Sequence, residues 1–209
     1  TNEIQSVLLA SSLEVYGTIT NDSKPLTEEA QGFLNPMDVR SSYPMAKRAA
    51  ETLCHNYAKE YGTHTKVARL AQTFGAGVTK NDNRVFAQFA RSIINGEDII
   101  MHTKGELCRC YCYTTDAIAA MLYILLRGKD GEAYNVANET TYISIKDMAT
   151  FLAETFNPKV KVVVELKENM GYSPTTKLRL STNKIQQLGW TPHYNLQEMF
   201  HRLIESLKQ

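Results

Sequence analysis

Two short, mainly apolar runs limit what this chain can fold into. Val7-Leu8-Leu9-Ala10 leads straight into Ser11-Ser12, and Val67-Ala68-Arg69-Leu70 leads into a glycine-containing turn, Gln72-Thr73-Phe74-Gly75-Ala76-Gly77. Runs that lack in–out alternation fit strands covered on both faces, as in a parallel sheet. Between them, Ala46, Ala49, Ala50, Leu53, Cys54, Tyr57 and Ala58 recur at helical spacing, predicting a helix from about Ser42 to Tyr61. That stripe is expected to face the sheet, its small residues letting the helix lie close. A serine is the expected N-cap, Pro44 suits the first turn and Gly62 ends the helix.

The alternation continues. Helices are expected over about Asn83 to Asn95, Ala117 to Arg127 (with Thr114-Thr115-Asp116 as its cap) and Ile145 to Phe156 (capped by Ser144). Strands are expected at Asp98 to Met101, Leu107 to Tyr113, Tyr134 to Ala137 and Val160 to Leu166. Lys167 to Lys177, with Gly171 and Pro174, reads as a polar loop. Ser181 to Leu188 and Asn195 to Leu207 read as the last helices, joined through Gly189-Trp190-Thr191-Pro192. Thr18 to Arg40 is a long polar connection, and loops of that length are usually functional or mobile. Alternating strands and helices predict an α/β fold.

A net charge of +1 argues against a nucleic-acid partner or a membrane surface held by charge. No apolar run spans a bilayer, and Thr1-Asn2-Glu3-Ile4-Gln5 does not read as a signal peptide. Cys108, Cys110 and Cys112 share one face of a strand, where neighbours pair poorly, so a reducing cytoplasm is expected. Three thiols on one strand also fit tetrahedral metal geometry poorly, and no Cys-x-x-Cys is present, so no metal is expected. The histidines are scattered.

Tyr43 and Lys47 stand one helical turn apart and can address one small volume. A free phenol is a poor base at neutral pH, but a nearby cation favours the phenolate, so the pair can form an acid/base unit for a hydroxyl proton. Ser12 ends a strand where parallel sheets gather ligands, although a turn hydroxyl satisfying local backbone would look the same.

Taken together, Ser11-Ser12-x-Glu14-Val15-Tyr16-Gly17 and Tyr43-x-x-x-Lys47 resemble the extended short-chain dehydrogenase/reductase superfamily, and within it the nucleotide-sugar epimerase, dehydratase and decarboxylase branch. Val67-Ala68-Arg69-Leu70, Asp82-Asn83-Arg84-Val85, Arg109-Cys110-Tyr111-Cys112-Tyr113-Thr114-Thr115-Asp116, Tyr134-Asn135-Val136 and Leu188-Gly189-Trp190-Thr191-Pro192 match in the same order. The resemblance implies part of a Rossmann-like parallel sheet with the Tyr/Lys helix over 1–75. It implies a small, mainly sugar-nucleotide-binding α/β region over 76–209, whose segments can return to the sheet. It also implies that the chain enters the family fold near its fifth strand. The glycine motif that holds NAD's pyrophosphate is not among these residues, so the chain by itself is expected to be an inactive portion of a longer enzyme.

The resemblance further implies NAD as cofactor and a nucleotide sugar, favouring a UDP-sugar, as substrate. Tyr43 would be the base, Lys47 would bind the nicotinamide ribose and favour the phenolate, and Ser12 would hydrogen-bond the reacting hydroxyl. Arg109 would pair with the diphosphate, Arg84 would assist, and Gln72, in place of the usual Asn, would contact substrate. Dehydratases carry Asp-Glu where this chain has Leu13-Glu14, and leucine cannot donate a proton. The decarboxylases, with Glu-Val-Tyr-Gly after a hydroxyl residue, fit best. Glu14 is either part of that chemistry or a structural loop carboxylate. A homodimer through the tyrosine-bearing helix, at Leu53 to Tyr61, is expected, with a self-associating module as the alternative function.

Overall fold

The computed structural model describes residues 4–167 and 175–209. Val7–Ser12 forms β1, and a 3-10 turn over Leu13–Tyr16 follows it directly. A second 3-10 turn, Val39–Ser41, enters helix α1, Ser42–Tyr61. Then come β2 (Thr65–Leu70), β3 (Gln72–Phe74), α2 (Val85–Asn95), β4 (Ile99–Met101) and β5 (Cys108–Tyr113). Helix α3 (Thr114–Arg127), β6 (Ala133–Val136), β7 (Asn138–Ser144), α4 (Ile145–Phe156) and β8 (Val162–Val164) complete the middle of the chain. β9 (Lys177–Leu178), the short α5 (Asn183–Gln186) and α6 (Leu196–Lys208) close it. The expected loop residues Gly171 and Pro174 lie outside the described residues.

Among the described residues the strands form three sheets. β1, β2 and β6 pair in parallel, with Leu9 opposite Val67 and Ala68 opposite Tyr134. The late strand β6 therefore returns to the sheet that β1 and β2 begin. β5 is the centre of a second sheet, parallel to β3 and β9 and antiparallel to β7. β4 and β8 pair as a small third.

β2 shows why its sequence does not alternate. Ala68 and Leu70 pack with α3 residues Ala117, Ala120 and Ile124, while Arg69 between them reaches Glu51 of α1. The two helices thus cover opposite faces. β5 divides the larger core in the same manner: Tyr111 and Tyr113 join Phe74, Phe86 and Phe200 on one side, and Cys110 and Cys112 enter two other clusters.

Four expectations are corrected. First, only part of the stripe on α1 faces the sheet: Leu53 and Tyr57 are 59% and 53% exposed, whereas Cys54 and Ala58 are half-buried. The sheet-facing positions are Pro44, Lys47, Glu51, Cys54 and Ala58, because the polar ones find partners on β1 and β2. Second, no serine side chain caps α1; the Asp38 side chain instead accepts from Arg40 N in the turn before it. Third, Asp116 lies inside the first turn of α3, buried, and accepts from the backbone N–H groups of His193 and Tyr194. Fourth, the final helix pair is unequal: α5 is one turn, whereas α6 carries a full capping box from Asn195 and Glu198. Strand β7 was not expected from the sequence.

The connection between Gly17 and Asp38 is pinned rather than loose. Thr18 N donates to Phe33 O (2.8 Å), and Leu26 bridges to Leu180. Buried Asn135 donates to the Leu26 and Ser181 carbonyls.

Candidate active site

At the C-terminal end of β1 the chain opens into a cavity of about 780 Å³. Ser12, Glu14, Tyr43, Gln72, Arg84 and Thr176 line it. Five of these come from the sequence expectations. Their convergence follows from the fold: Ser12 ends β1 beside Leu70 at the end of β2, Gln72 follows two residues later, and α1 carries Tyr43 in its first turn.

Each side chain is held for a local reason. The Ser12 hydroxyl oxygen accepts from Glu14 N (3.2 Å), capping the 3-10 turn and leaving its O–H to donate. Tyr43, in the first turn of α1, is 53% exposed. Lys47 lies outside the lining; its ammonium is 5.7 Å from the Tyr43 ring centroid and donates to Ala10 O (2.7 Å). One of its three N–H groups therefore fixes the helix to the strand.

Arg84 and Arg109 are not open cations waiting for a ligand. Arg84 is paired with Asp82 (2.6 Å), which holds the Asp82 carboxyl below the usual range, and its guanidinium lies over Phe86. Arg109 lies behind the cavity wall, 5% exposed, and donates to the Thr176 hydroxyl and carbonyl. Its other terminal nitrogen is 3.9 Å from the Glu14 carboxylate. Burial pulls the Arg109 pKa down, partly opposed by Glu14.

Two contributors escaped the sequence reading. Thr176 follows a polar stretch with no signal of its own. Glu51 did carry a signal, because 43, 47 and 51 step along one helix face. Ser11, which also lines the cavity, donates to Glu51, and Glu51 grips Arg69 at 2.7 Å. Arg69 donates in turn to Tyr16 OH (3.2 Å) and Glu28 O (2.6 Å). Burial raises the Tyr16 phenol to about 12, opposed by Arg69.

The chain as a whole is similar to known proteins. Residues 1–137 match the family described as NAD dependent epimerase/dehydratase family. The chain belongs to that family. It is 30% identical over 192 residues to a UDP-glucuronic acid decarboxylase 5 of Arabidopsis thaliana, covering 92% of this chain and 54% of the relative. It is also 30% identical over 203 residues to a UDP-glucuronic acid decarboxylase 1 of Xenopus tropicalis, covering 97% and 47%. The chain thus spans about half the length of the curated relatives it matches. Among solved structures, a UDP-glucose 4-epimerase of Thermotoga maritima superposes with a TM-score of 0.80 at 23% identity, over 98% of this chain and 64% of that one. A likeness at that identity shows the shared Rossmann-like α/β fold.

The family's cofactor can be tested against the residues at hand. Tyr43 and Lys47 present a phenol and an ammonium beside an open strand end. A pyrophosphate needs glycines that let it approach the backbone. Gly75 does not serve that purpose: a Cβ there would lie 2.8 Å from the Tyr113 ring, so its space belongs to packing. Among the described residues no group of three or more His, Cys, Asp or Glu could hold a metal ion. No helix among them is long and apolar enough to cross a membrane.

Proposed function

We propose that this chain supplies the acid/base and sugar-nucleotide side of an NAD-dependent nucleotide-sugar enzyme, with a UDP-sugar as substrate and decarboxylation as the favoured branch. The observation that carries the proposal is the convergence of Ser12, Glu14 and the Tyr43 phenol on one cavity, with Lys47 against the tyrosine. NAD, when bound, accepts and returns the hydride at a hexose carbon. Tyr43 takes the proton from the sugar hydroxyl, Ser12 orients that hydroxyl through its O–H, and Lys47 favours the phenolate while holding the ribose. Leu13 offers no proton to a leaving water, which speaks against a dehydratase. Gln72 and Arg84 contact the substrate from the facing wall.

Arg109 is reassigned within this reading. Its guanidinium steadies Glu14 and Thr176, and engages a diphosphate only after giving up one of them. The described residues hold no pyrophosphate cradle, so alone they bind the sugar nucleotide without turning it over.

Calorimetry with UDP-glucuronate and NAD, separately and together, tests this. The expected result is micromolar binding of the sugar nucleotide, weakened when Arg109 is replaced by Met. No binding of UDP-glucuronate would end the proposal. NAD-dependent turnover by this chain would overturn the inactivity and make Tyr43→Phe the next test, with loss of turnover expected.

A second reading rests on the outward face of α1. Leu53, Tyr57 and Tyr61 are exposed on one surface, and Tyr57 and Tyr61 touch at 5.2 Å between centroids. We propose that a second copy of this chain covers it. Sedimentation should show a dimer that Leu53→Glu dissociates; a monomer in both would refute it.

A further inference from the structure

We propose that Arg48 is a positioning residue that fixes the cavity wall at 33–38 to the helix carrying Tyr43 and Lys47. The inference rests on the sugar-nucleotide reading of that cavity. It begins with a second job done within the same turn of α1. Lys47 ties the helix to β1 through Ala10 O. Its neighbour Arg48, half-buried, turns toward the long connection.

Arg48 Nε donates to Val15 O (2.7 Å) and Nη2 donates to Gly32 O (2.8 Å). Both acceptors are main-chain carbonyls, and each belongs to a segment of the cavity wall. Val15 follows Glu14, and Gly32 precedes Phe33, Leu34 and Asn35, all of which line the cavity with Asp38.

The two segments are brought together by glycines. A Cβ on Gly17 would lie 2.6 Å from Phe33 O, and one on Gly32 would lie 2.4 Å from Tyr16 O and 2.7 Å from Thr18 O. Gly17 also has a φ of +68°, which other residues rarely adopt. The close approach presents two carbonyls to one planar guanidinium. A lysine ammonium is a single point on a flexible stem and does not reproduce that fork. Arg69 holds the same connection at Glu28 O, but from β2, farther from the lining.

The wall therefore takes its position from α1. A substrate resting on 33–38 is placed relative to the phenol by a chain of contacts that passes through Arg48. A role confined to stability would instead affect distant elements equally.

Arg48→Lys and Arg48→Gln test this, read by calorimetry with UDP-glucuronate and by amide hydrogen exchange. The expected result for both is binding weakened at least about tenfold and exchange at the Thr18 amide faster by a similar factor. Exchange at Met199 in α6 should stay at the wild-type rate. If Arg48→Lys keeps wild-type binding and Thr18 exchange, the proposal is overturned. Equal acceleration at Thr18 and Met199 would reduce Arg48 to general stability and also overturn it. Should Arg48→Gln fail to fold, the lysine variant carries the test. If the wild-type chain does not bind UDP-glucuronate, the sugar-nucleotide reading fails, and the clamp is then judged on Thr18 exchange alone.

Discussion

Replacing Glu51 by Ala should cost this chain about 3 kcal/mol, and the structure shows why the figure is neither 1 nor 5. The Glu51 and Arg69 side chains are 11% and 15% exposed and meet through three hydrogen bonds of 2.7 to 3.1 Å. Burial opposes the charge on Arg69, but its bonds to Glu51 and the neighbouring Tyr16 outweigh this and hold its pKa above normal. Breaking a buried pair from one side typically costs ~3–5 kcal/mol, because an uncompensated charge remains. Here Arg69 keeps Tyr16 OH and Glu28 O as acceptors, which moves the cost to the lower end. Ser11 loses its acceptor as well. The loss corresponds to a fall in melting temperature of roughly 6–12 °C for a chain of this size. Urea unfolding of the wild type, Glu51→Ala, and the cycle of Glu51→Met, Arg69→Met and the Glu51→Met/Arg69→Met double variant measures it. The double variant should lose less than Glu51→Ala, since it leaves no orphaned charge. A loss under about 1 kcal/mol, below the range for a buried pair, or strict additivity in the cycle, would refute the argument.

Three further outcomes follow from described contacts. Burial raises the Glu28 carboxyl, although it accepts from Asn135 N at 2.8 Å. A raised acid supports folding below its unfolded pKa, and that support is lost as pH rises through the folded value. Glu28→Gln should therefore be more stable than wild type at about pH 7 and equal at about pH 3.5, as read by urea unfolding. Asp116→Ala removes a buried acceptor from two backbone N–H groups and should cost about 2–3 kcal/mol, with faster hydrogen exchange at His193 and Tyr194. Gly32→Ala drives a methyl into two backbone carbonyls and should cost about 2–3 kcal/mol in thermal unfolding, whereas an unchanged melting point would mean the connection moves freely.

Much of this architecture could be read from the residues. Helix α1 has the expected ends because Pro44 and Gly62 act locally, and Gly62 does adopt a left-handed conformation. The in–out pattern of β5 also holds, since strand periodicity is a property of the backbone. The failures arise where distant partners decide. Apolar spacing placed the inward face of α1 only in part, because Lys47, Glu51 and Arg48 find acceptors or charges on β1, β2 and the 15–32 segment. The position of Arg109 depended on Thr176, which lies 67 residues away in sequence. The pinning of the long connection depends on Leu180 and Asn135, which no local pattern announces.

The cysteines of β5 turn its central position into a set of internal probes. Burial pushes Cys110 up to about 11 and Cys112 higher still, so both thiols are protonated and shielded in the folded chain. Cys110 belongs to the core beneath the 3-10 turn with Leu13 and Tyr16, and Cys112 to the core under α3. A thiol reagent reaches each only when its own compartment opens. The order in which Cys110 and Cys112 become labelled therefore reports whether the region behind the cavity loosens before the body of the sheet, with no engineered label required.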